Sequence, residues 1–142
     1  MTREELTSFA ARRHEAWDRR DTSGLAAGHA IDGTVTSPIF GTVHGRAAIE
    51  TSYRNLFSIF ADWEYIEDAL IIDGQTVVES FTARATHTHE FLGMPGTGRR
   101  FQIRGVLIFR FADGLIAHEE RIYDFSGMLI QIGVLKAKPA KG

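Results

Sequence analysis

Cysteine is absent, proline occurs only three times, and neither sign of charge dominates the chain. Each lack removes a class of protein. Without cysteine there is no disulfide framework, no thiolate metal site and no cysteine nucleophile. With 16 basic against 18 acidic side chains and no long run of either sign, the chain lacks the basic stripe that phosphate backbones require, so no nucleic-acid partner is expected. No uninterrupted apolar stretch reaches the length of a membrane span. The first residues, MTREELTSFAARRHEAW, are charged and periodic where a signal peptide would be apolar. A cytoplasmic protein with no membrane contact is the expectation. Internal repeats are missing, and the one low-complexity segment is the tail KAKPAKG.

What remains is a globular composition, 44% apolar and 24% charged, over 142 residues. That length supports one sizeable core and is too short for two ordinary domains. The expectation is a single domain, 1–142, with a short flexible tail from about residue 136.

Periodicity divides the chain in two. Thr2 and Glu5 form a capping-box pattern, and Leu6, Phe9, Ala10, Ala16 and Trp17 recur at helical spacing, predicting a helix over 3–20. Asp21, Thr22 and Ser23 offer N-caps for a short helix over about 23–29. Thr34 to Ser37 reads as extended, and Gly41 and Gly45 bracket a loop holding His44. A third helix is predicted from about 46 to 60, with Ile49, Tyr53, Leu56, Phe57 and Phe60 on one stripe. After Asp62 the period becomes that of strands, over 63–72, 75–91, 100–111 and 115–124. Helices first and antiparallel strands last give an α+β fold: three N-terminal helices packed on a curved antiparallel sheet, enclosing a pocket for a small hydrophobic ligand.

The segment Thr86-His-Thr-His-Glu-Phe-Leu-Gly-Met-Pro-Gly-Thr-Gly98 resembles the GTHTGEFLGIPPTG stretch of SnoaL-like polyketide cyclases, within the cone-shaped nuclear-transport-factor-2-like superfamily. His44-Gly45-Arg46 is similar to the loop that opens the family's third helix. Phe60-Ala61-Asp62 resembles its FPD, and Tyr123-Asp124 followed by Gln131-Ile132-Gly133 resembles its WD…QLG ending. The chain departs from the pattern at Ala85 and His89, which replace glycines, at Gly96, which replaces a proline, and at Glu120, where tryptophan is common. The resemblance implies acid–base catalysis of an intramolecular aldol closure by an aspartate at the position of Asp124, without metal or organic cofactor. It places His87 at the family's histidine position, where it can polarise a carbonyl or orient Asp124. It also implies a homodimer through the sheet.

The hairpin register decides which side chains converge. A three-residue turn at Ala112-Asp113-Gly114 sets Phe111 opposite Leu115, Asp124 opposite Gln102, and Glu120 opposite Val106. A two-residue turn shifts each pairing by one. The first is preferred, because a type I turn with a glycine bulge suits Ala-Asp-Gly. It gathers Asp124, Gln102, Arg104 and Glu120 on one face. Asp124, partly desolvated near an apolar pocket, is the candidate acid or base. Gln102, Arg104 and Glu120 are candidate substrate contacts, with Arg104–Glu120 also readable as a cross-strand ion pair. Trp17, Tyr53, Phe57 and Phe81 are candidate core and pocket-wall residues. The opposite face is then expected to carry Phe101, Ile103, Leu107 and Phe109, an apolar patch for the dimer. His87 and His89 alternate onto one strand face with no clear third ligand, so no metal is expected.

Three function classes are compatible with these residues. The leading one is a cofactor-free acid–base enzyme, a cyclase or isomerase, acting on a hydrophobic, polyketide-like carbonyl compound. The second is a non-catalytic binding module of the same fold. The third resembles limonene-epoxide hydrolases, which use Asp-Arg-Asp; only Asp124 of that set is matched here.

Overall fold

The first helix is fixed by its cap and its stripe. In a computed structural model, which describes residues 1–136, the Glu5 amide donates to the Thr2 hydroxyl and the Thr2 amide to the Glu5 carboxylate. This closes the capping box at the start of α1 (Arg3–Asp18). Leu6, Ala10, Ala16 and Trp17 bury along one side, and Arg13, on the same stripe, is buried with them. Asp21 caps α2 (Thr22–Ala27) by accepting from the Gly24 amide. Thr34 to Ser37, expected as extended, ends β1 (His29–Ser37), which forms a hairpin with β2 (Gly41–His44), where a loop was expected. α3 (Arg46–Ile59) buries Ile49 and Tyr53.

Four strands follow: β3 (Glu64–Asp73), β4 (Thr76–Thr86), β5 (Arg100–Ala112) and β6 (Leu115–Tyr123). A fourth helix that periodicity did not predict, α4 (Phe125–Gln131), closes the described chain. The tail expected from about residue 136 lies outside the described residues, apart from Lys136 itself.

The six strands run in the order β2-β1-β6-β5-β4-β3. β1 lies parallel to β6, so the sheet is mixed and not wholly antiparallel. The cause is connectivity. Between β1 and β6 the chain passes through α3 and four further strands, so no tight turn forces the two to run in opposite directions.

The expected hairpin register is corrected. Asp113 and Gly114 have φ of 52° and 79°, the left-handed pair of a two-residue type I′ turn. Ala112 therefore faces Leu115, and Phe111 faces Ile116. A bulge then leaves Ala117 unpaired, so Ile108 faces Glu120 and Val106 faces Ile122. The strand ends at Tyr123, and Asp124 never pairs with Gln102.

The sheet's orientation is corrected as well. Phe101, Ile103, Leu107 and Phe109 do not form an outer patch; all four are buried in the core beneath the helices. Burying each is worth roughly 1.5–3 kcal/mol, which is why the uniformly apolar side of β5 turns inward. Gln102, Arg104 and Glu120 do share a face, as the alternation predicts, but it is the opposite one. The apolar dimer surface expected there is thus core.

Candidate functional site

A cavity of about 320 Å³ lies against the inner face of the sheet, roofed by α3, the β1–β2 turn and α4. Its volume falls in the range of small-molecule sites. One wall is aromatic. The Trp17 and Tyr65 rings stack with centroids 4.8 Å apart, and Tyr65 stacks on Phe81 at 5.2 Å. Phe60, Phe91, Ile103 and Leu107 extend the apolar lining.

The charged lining group comes from β6. Arg121 and Tyr123 both face the cavity. Two positions apart on one strand face, their backbones stand about 6.5–7 Å apart. Burial pushes the Tyr123 hydroxyl up to about 12, so it remains a proton donor through the neutral range. Arg121 donates from Nε to Glu119 Oε2 at 2.5 Å and from Nη2 to the Tyr53 hydroxyl at 3.1 Å. Its Nη1 bonds to none of the described residues. Asn55, Ser52 and Thr51 add neutral polar groups from α3.

Behind Arg121 lies a buried charged cluster. Glu119 is fully buried, and its Oε1 accepts from Arg13 Nη2 at 3.3 Å and faces His29 Nε2 at 2.9 Å. His29 sets its Nδ1 against the Leu25 carbonyl oxygen at 3.2 Å. Burial alone would raise the Glu119 carboxyl, but Arg121, Arg13 and His29 hold it well below its ordinary range. Arg13 also donates to the Tyr53 hydroxyl at 2.7 Å and stands over the Phe109 ring at 5.0 Å. A second carboxylate, Glu79, accepts from the Tyr65 hydroxyl. Burial pushes Glu79 up from its ordinary value, against the pull of that hydrogen bond and of Arg13. Burial also raises the Tyr65 hydroxyl, and the neighbouring Glu79 adds to it.

The residues singled out from sequence are dispersed. Asp124 does not line the cavity. It is exposed and caps α4, accepting from the Gly127 amide at 2.9 Å. The reason is local: the strand stops one residue earlier, and the carboxylate is taken up by the helix start. Gln102 is exposed on the outer face, accepting from Arg84 Nε at 2.7 Å. Arg104 is exposed and Glu120 half-buried on that face, with no ion pair between them among the described residues. His87 is fully buried beyond the end of β4, its Nδ1 bonded to Thr97, and it lies outside the cavity lining. His89 is exposed. Trp17 and Phe81 line the cavity; Tyr53 and Phe57 stand behind it. Among the described residues no three His, Asp or Glu side chains converge as a metal would need.

Arg121, Glu119, Tyr123, Arg13 and Tyr65 were not found by sequence reasoning. A signal for the first three existed. The apolar residues of β5 occupy one parity, and the partner residues of β6 on that side are Glu119, Arg121 and Tyr123.

The model of the SnoaL-like polyketide cyclase family matches residues 8–132. IdmH from Streptomyces antibioticus, a provisionally assigned polyketide cyclase, is 28% identical with a TM-score of 0.76, over 90% of this chain and 98% of that one. AclR from Streptomyces galilaeus, a provisionally assigned hydroxylase, is 24% identical with a TM-score of 0.83, over 97% and 91%. TsrD from Streptomyces laurentii matches at 24% identity and a TM-score of 0.83, over 95% and 99%. The last two show the fold alone, the cone of helices on a curled sheet. No curated protein matches the chain. No helix among the described residues is long and apolar enough to cross a membrane.

Proposed function

Because the chain belongs to the SnoaL-like polyketide cyclase family, we propose that its cavity binds a hydrophobic, polyketide-like carbonyl compound and rearranges it by proton transfer at oxygen. The observation that carries this reading is Arg121. It is a cation in the wall of an otherwise mostly apolar cavity, tied down by Glu119 and Tyr53, with Nη1 left over. A fixed positive donor in a water-poor site stabilises a developing oxyanion without having to reorganise. Tyr123 on the same strand face supplies the proton that an alkoxide product takes up. The apolar lining selects for the hydrocarbon part of the substrate and keeps bulk water from the reacting atoms.

A non-catalytic binding module is the second reading. It is favoured by a specific feature: none of the described lining residues is a carboxylate or a histidine, so the wall itself offers no ordinary general base.

The two are separated by offering the protein a panel of aromatic polyketide esters and β-dicarbonyl compounds, scoring binding by thermal shift and products by chromatography and mass. A bound compound converted to an isomer of equal mass supports the enzyme. Arg121→Met should then cut turnover by about 10²–10³, the usual worth of an oxyanion donor. Compounds that bind tightly and are never converted would move the protein to the binding class.

A further inference from the structure

The cavity can hold negative charge but has little to take a proton from carbon. Its ionisable lining residues, as described, are Arg121, Tyr65 and Tyr123. The two phenols are both held in their protonated form through the neutral range. The Tyr65 hydroxyl is already committed to Glu79. The carboxylate nearest Arg121, Glu119, is fully buried and shared among Arg13, His29 and Arg121. Two guanidinium groups and an imidazole thus surround one carboxylate, and the outermost of them, Arg121, still has Nη1 without a partner among the described residues. The Arg121 side chain is only 19% exposed and lines the cavity, where a charge-assisted hydrogen bond to an anionic ligand gains strength from the apolar surroundings.

We propose that the ligand of this cavity binds already ionised, as a hydrophobic oxyanion such as the enolate of an acidic β-dicarbonyl compound or a phenolate, with its charged oxygen on Nη1 of Arg121. This deepens the enzymatic reading and rests on it for the chemistry that follows. A substrate that arrives as an enolate needs no base from the wall. Its nucleophilic carbon attacks a carbonyl carbon of the same molecule. The new C–C bond forms as the C=O π pair moves onto oxygen. The alkoxide takes the proton of Tyr123, and Tyr123 recovers one from water. Arg121 holds the enolate oxygen while its charge is drawn away. The missing general base and the unfilled cation then have one explanation.

The test compares 2-hydroxy-1,4-naphthoquinone, an acidic enol ionised at neutral pH, with its uncharged 2-methoxy ether, by calorimetric titration. The wild-type protein should bind the anion about ten- to a hundredfold more tightly than the ether, as a charge-assisted hydrogen bond implies. Arg121→Met should abolish most of that ratio by weakening the anion alone, and Arg121→Lys should retain part of it. Equal affinities in the wild type overturn the proposal without any variant having to fold. A ratio that survives in Arg121→Met overturns it as well. Failure here leaves turnover of a neutral substrate standing, whereas a clear anion preference without conversion of any compound leaves the binding class.

Discussion

Arginine and glutamate occur on both faces of the β5–β6 hairpin, and the two sets differ in almost everything but composition. On the inner face Arg121 and Glu119 are 2.5 Å apart, and Glu119 is shut away from solvent. On the outer face Arg104 and Glu120 make no ion pair with each other, and Arg104 is exposed. Water solvates the outer charges wherever they point, so their positions are weakly determined. The inner charges have lost water and must find one another, so each is located by several bonds. The same side chains are therefore interchangeable surface on one side and a fixed electrostatic device on the other.

The strongest way to break that contrast is Glu119→Gln. It leaves the buried Arg13 and the partly buried Arg121 without their hydrogen-bonded carboxylate, and loss of one member of a buried pair costs about 3–5 kcal/mol. Urea unfolding followed by Trp17 and Trp63 fluorescence reads the loss directly. A change below about 1 kcal/mol would show that the inner cluster is as well solvated as the outer one.

Acidity sharpens the contrast further. The Glu119 carboxyl is held well below its ordinary 4.5, so its stabilisation is complete above that pH and is lost only as pH falls through the lowered value. Glu79 behaves in the opposite sense. Its carboxyl is raised by burial, so its contribution is complete below 4.5 and declines as pH rises through the raised value. Stability measured from pH 4.5 towards neutrality should carry that downward contribution in the wild type. Glu79→Gln should remove it while leaving the acid limb set by Glu119. An unchanged profile above pH 4.5 would mean that Glu79 is not desolvated.

Asp124→Ala should cost about 1 kcal/mol, the worth of an N-cap, and leave turnover close to wild type, because the carboxylate serves the α4 terminus. A fall of two powers of ten in turnover with the fold intact would return Asp124 to the chemistry. Least affected should be Arg104→Gln and Glu120→Gln on the outer face, each within about 0.5 kcal/mol of wild type by the same unfolding assay. A larger loss there would mean that the outer face is covered.

The first and third helices and the four long strands were legible because each rests on a repeating pattern, the second helix was legible from its cap, and the cone from a family likeness. The capping box at Thr2 and the stripe through Leu6 and Trp17 need no distant partner to be read. The site rests on which face of β5 turns inward and on a single bulge. The type I′ turn at Asp113-Gly114 and the extra residue Ala117 change the pairing without leaving a periodic trace. Asp124 looked like the reactive group because a family likeness aligned it with a catalytic position. Sequence does not show that the strand ends one residue earlier, which makes Asp124 a helix cap. Arg13 was hidden for another reason: an arginine inside an apolar stripe reads as its polar edge until a carboxylate arrives from elsewhere in the chain.

That arrival has a consequence in time. The partner of Arg13 is 106 residues further along the sequence. During synthesis α1 leaves the ribosome with its apolar stripe complete, yet docking it would bury a guanidinium group whose hydrogen-bonded carboxylate is made only with β6. The early helix is thereby discouraged from settling on an unfinished sheet. Closure of the cone should be a late event, following synthesis of β6, with the slow kinetics of a long-range contact.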